Sequence, residues 1–182
     1  MRMTDNTTST QTSGDSPYDE LKRAVSDYGK AAMDNLLHCK AFGRAVMDGY
    51  AGWLGCEPER VVGVPAKGQF DPHHDYGDAA FSFYQSPVIR LEPVAFGVCV
   101  TIDNVEDSGS LWLRTAVRVD MAGQGLDVFV GTQPMVNVPV EFTGQLDPVF
   151  RAIHAEMLAV FSQELQEFRD DRFKGGIGFI AD

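Results

Sequence analysis

The chain reads as an α+β protein in two layers: an N-terminal helical region, a four- to five-stranded antiparallel meander and a C-terminal helix. Three observations predict this class. Apolar residues recur at three- and four-residue spacing up to Trp53, alternate strictly after Ala79, and return to helical spacing after Pro148. A length of 182 residues suits one core, so residues 17–182 are expected to form a single domain.

The first helix starts at Ser16-Pro17-Tyr18-Asp19, with Ser at the N-cap, Pro at the first helical position and an acid at the third. Its apolar positions are Leu21, Val25, Tyr28, Ala32, Leu36, Cys39, Phe42, Val46, Tyr50 and Trp53, and Gly55 supplies a stop. Such a helix would be about 60 Å long at 1.5 Å per residue. A domain of this size has a radius of gyration of about 16 Å. A break at Gly29 or Gly43 is therefore expected, the alternative being a helix that overhangs onto a partner chain.

Residues 57–78 carry Pro58, Pro65, Gly68, Pro72 and Gly77 and read as one long irregular loop. Alternation then runs through Phe81 and Phe83, through Phe96, Val98, Val100 and Ile102, and through Leu111, Leu113, Thr115, Val117 and Val119. It continues in Leu126, Val128 and Val130, then Val136, Val138 and Val140, with turns at residues 103–110 and 122–125. One apolar face per strand marks an antiparallel sheet. Asp147-Pro148 opens the last helix, whose stripe is Phe150, Ile153, Met157, Phe161, Leu165 and Phe168 before Lys174-Gly175-Gly176.

Composition narrows the function. Fifteen Lys and Arg stand against 26 Asp and Glu, a net charge of −11 that repels phosphate backbones and argues against nucleic acid as a partner. Residues 1–16 are polar and read as a disordered tail, with neither the apolar core of a signal peptide nor a membrane span. Cys39, Cys56 and Cys99 form no CxxC pair and read as reduced thiols of a cytoplasmic protein.

Two constellations could carry function. Asp71, His73, His74, Asp75 and Asp78 crowd into one loop, and imidazole with carboxylate suits a divalent metal or acid–base work. No HExxH or His-x-His spacing accompanies them, and a solvated acidic turn uses the same residues. The second emerges from register. A tight turn at Gly123-Gln124 sets Val119 against Val128 and Val117 against Val130. The opposite face then gathers Trp112, Arg114, Arg118 and Phe129, which Arg90 joins by parity. Arginine stacked on aromatics is an interface chemistry and can also hold a small anionic ligand. The C-terminal Gly175-Gly176-Ile177-Gly178 follows a helix and opens none, so it is not a phosphate cradle; Ile177 and Phe179 fit the core or an edge strand.

These readings favour a non-catalytic binding or regulatory module, homodimeric through the aromatic–arginine face and the over-long helix. The alternative is a small-molecule or metal-dependent enzyme with its site at the Asp71–Asp78 loop. A structural partner in a larger assembly is the third possibility.

Overall fold

The computed structural model describes residues 16–103, 109–169 and 178–180, with the side chains of 164–169 and 178–180 left out. The tail 1–15 and the helix-closing Lys174-Gly175-Gly176 lie outside the described residues, as does Ile177. Helix α1 (Pro17–Leu54) is followed by a short 3-10 turn (Pro58–Arg60) and strand β1 (Val61–Val64). A second 3-10 turn (Gly77–Ala80) precedes strands β2 (Val94–Asp103), β3 (Ser110–Ala122), β4 (Gly125–Val130) and β5 (Val136–Pro139). Helix α2 (Asp147–Arg169) and strand β6 (Gly178–Ile180) complete the chain. The strands lie in the order β1-β2-β3-β4-β5, all antiparallel, and β6 pairs with β3 beside Ser110–Trp112.

Both helices cover one face of the sheet. Cys39, Phe42, Val46 and Tyr50 of α1 meet Phe96, Val98 and Val100 of β2, while Ile153 and Met157 of α2 lie in the same core as Val117, Val128 and Val130. The expected register holds: Val119 faces Val128, Val117 faces Val130, and Arg118 faces Phe129. Across the previous turn Thr101 faces Trp112 and Cys99 faces Arg114. A buried amide ties the layers together. Asn35 donates from Nδ2 to the Glu92 carbonyl at 2.9 Å and accepts from the Met121 N–H at 3.2 Å.

Three expectations are corrected. First, α1 does not break: it runs 38 residues from a Ser16–Asp19 capping box to left-handed Gly55. Gly43 serves packing, because a Cβ there would come within 2.5 Å of the Phe81 ring. Gly29 faces open space, and its cost of ~1 kcal/mol relative to Ala is too small to interrupt so long a helix. Second, the supposed loop contains strand β1. Val61-Val62-Gly63-Val64 is too short and too glycine-interrupted to show alternation, and its partner β2 decides its conformation. Third, Phe81 and Phe83 are not in a strand. They follow the second 3-10 turn with their rings stacked at 5.3 Å, and the meander starts at Val94.

Candidate functional site

The acidic loop is a self-contained turn. Asp71 accepts from the His73 N–H at 2.8 Å, and Asp75 accepts from the Gly77 N–H at 3.0 Å, each carboxylate closing a turn two residues long. The Tyr76 hydroxyl accepts from the Asp71 N–H at 2.8 Å, and the His74 ring lies edge-on to Tyr76. Asp78 points elsewhere, to Lys40 and Arg44 of α1, each at 2.6 Å. Hydrogen bonds from these two cations hold its carboxyl below the ordinary 3.8. The five residues therefore do not converge, and among the described residues no group of three or more His, Cys, Asp or Glu is placed to hold a metal. His73 and Asp75 instead border an open cleft of about 960 Å³ between α1 and β1, shared with Arg44, Asp48, Glu57 and Arg60.

The outer sheet face is half covered by its own chain. After β1, residues 65–70 fold back across it. Arg114 donates to the carbonyls of Pro65 at 3.2 Å and Gly68 at 2.8 Å, and its guanidinium lies 4.6 Å over the Phe70 ring. Phe70 packs edge-on against Trp112, and Cys99 beneath is buried. Burial pushes the Cys99 thiol up to about 12, and the same cause acts on Cys39. Arg118 stacks on Phe129 at 4.4 Å and remains exposed beyond the covering segment. Arg90 does not join this face. It precedes β2 and borders a small cleft beside Asn35 and Leu36 of α1.

Among the described residues, a row of exposed apolar side chains lies on α1. Tyr18, Leu21, Val25, Tyr28, Ala32, Asn35, Cys39, Phe42 and Val46 recur at alternating three- and four-residue steps, the spacing of a coiled-coil seam. From Ala32 onward this seam is buried under the domain. Before it, Tyr18 is 67% exposed, Leu21 64%, Val25 72% and Tyr28 49%. The sheet ends and the seam does not. Tyr28 also accepts from the Leu91 N–H at 3.1 Å, which brings exposed Leu91 alongside. These positions were legible as apolar, but a broken helix would have folded them onto the core. The seam spacing was the signal that they continue straight past it.

Among the described residues no helix is long and apolar enough to cross a membrane. No family model, curated protein or solved structure matches the chain.

Proposed function

We propose that this chain is a non-catalytic binding module that self-associates through the overhanging N-terminal part of α1. The observation that carries the reading is the uncovered seam from Tyr18 to Tyr28, continuous with the buried seam of the same helix. Contiguous exposed apolar surface on a soluble fold marks an interaction site. Charge favours a second copy as the occupant. Residues 17–31 hold Asp19, Glu20 and Asp27 against Lys22, Arg23 and Lys30, a balanced segment in a chain of net −11. Asp19 and Glu20 open the segment and Lys30 closes it, so antiparallel pairing sets Asp19 and Glu20 of one copy towards Lys30 of the other. A two-fold axis produces that arrangement from one patch. Ala24 and Ala31 flank the seam and leave room for close helix approach.

Sedimentation of the full chain tests the reading. The parent is expected at twice its 20.0 kDa mass at micromolar concentration. Leu21→Glu or Val25→Glu should return it to the single-chain mass with unchanged circular dichroism, since both side chains are exposed. A parent that sediments as one chain, or charged variants that stay paired, would overturn it.

A further inference from the structure

At the far end of α1 from the overhang, the two layers part around a cavity of about 430 Å³. Its walls include Leu54, Val100, Leu113, Met157, Leu158 and Phe161, contributed by both helices and the central strands. That volume falls within the range of small-molecule sites, about 300–1,000 Å³, which are mostly apolar with a few placed polar groups. Here the polar residues of the inner lining include Tyr50 and His154. The Tyr50 side chain is fully buried, and the partner of its O–H is the thioether of Met157 at 3.9 Å. Sulfur is a weak acceptor, so the buried donor of this lining residue has only a weak partner. Cys56, half-buried, lines the same space.

The rim fixes the charge of what can enter. Arg60 is held by Asp103 through two hydrogen bonds, at 2.7 and 2.5 Å, with Glu57 at 3.8 Å on its other side. Asp103 also accepts from the Ser110 hydroxyl at 3.1 Å. The cation at the mouth is thus paired with two carboxylates, Asp103 and Glu57, which disfavour an anionic headgroup beside them. The other basic group of the lining, His154, lies edge-on to the Trp53 ring. We propose that this cavity binds a neutral, apolar small molecule bearing one hydrogen-bond acceptor, with that acceptor meeting the Tyr50 hydroxyl. The site is independent of the helix seam and is present in each copy of the chain.

The neutral fluorophore 6-propionyl-2-dimethylaminonaphthalene, which has an apolar ring system and one carbonyl, is a suitable probe. With the full-length protein it should bind saturably at one site per chain, with emission shifted to the blue of its value in water. Tyr50→Phe keeps the ring and removes the donor, and should weaken binding about three- to tenfold, the range of one hydrogen bond. Leu158→Trp with Ile102→Trp fills the mouth from positions that are 52% and 45% exposed, and should abolish binding with unchanged circular dichroism. Bound probe should slow disulfide-exchange labelling of Cys56. 2-Dodecanone should displace the probe more effectively than dodecanoate. Absence of saturable binding, or full binding by the mouth-filling variant, would overturn the site. Stronger displacement by dodecanoate would overturn the neutral class. Loss of binding in Val25→Glu would place the probe in the helix seam instead, and so also overturn the cavity, whereas retained binding separates the two proposals.

Discussion

The ring of Phe70 meets Trp112 edge-on with 4.7 Å between centroids, so the aromatic of the outer sheet face is covered from within its own chain. Trp112 therefore contributes to the fold of the monomer. Trp112→Ala should lower stability by about 2–4 kcal/mol, near the lower part of the range for large aromatic truncations because the ring is only half-buried. It should leave the sedimenting mass unchanged. A urea titration beside sedimentation checks both, and a change of mass without loss of stability would refute the assignment.

Two glycines of α1 should respond in opposite directions. Gly29→Ala places a methyl group in open space on an exposed helix and should stabilise by up to about 1 kcal/mol. Gly43→Ala drives a methyl group into the Phe81 and Phe96 rings and should destabilise, by about 1–3 kcal/mol as overpacking does. Thermal melts of the two single variants decide it. Equal shifts of the same sign would mean that Gly43 is not packed as described.

The Lys40–Asp78–Arg44 cluster predicts an acid limit. The folded carboxyl of Asp78 lies below the ordinary 3.8, chiefly through hydrogen bonds from Lys40 and then Arg44. A depressed carboxyl stabilises the fold above its unfolded value, and that contribution is lost as pH falls through the folded value. Parent protein should therefore be more stable than Asp78→Asn at neutral pH, with the difference closing below pH 3.8. Urea midpoints for both proteins from pH 7 to pH 3 provide the comparison. A difference as large at pH 3 as at pH 7 would remove the ion pairs as its cause.

The thiols should separate by burial. Cys39 and Cys99 are buried, and desolvation pushes both up to about 12, so neither forms thiolate at neutral pH. Cys56 is half-buried. Ellman's reagent should report one fast thiol per native chain and all three after denaturation. Two fast thiols would show that residues 65–70 do not stay on the outer face.

Much of the fold was legible because its determinants are local. Ser16, Pro17 and Asp19 form the capping box at the position they mark, and Gly123-Gln124 sets the β3–β4 register residue for residue. What escaped the sequence depends on residues far apart in the chain. Gly43 looks like a helix breaker until Phe81 is placed against it. Arg114 looks free for a ligand until the carbonyls of Pro65 and Gly68 are folded over it. Asp78 looks like a member of the acidic loop until α1 presents Lys40 and Arg44. In each case the deciding partner was a long-range contact that no periodicity encodes.

The continuity of α1 has a kinetic consequence. An isolated helix shorter than about 12–15 residues is marginal in water, chiefly because its first turn is costly to nucleate. Residues 17–31 never meet that cost, since the buried turns from Ala32 to Tyr50 already hold the backbone in register and the outer turns need only extend it. In the single chain this produces fraying from the N-terminal end, so amide exchange should slow steadily from Leu21 towards Cys39 without a step. Association would replace that gradient with a plateau. The protection profile of one helix therefore distinguishes the free chain from the paired one, even where mass and circular dichroism are ambiguous.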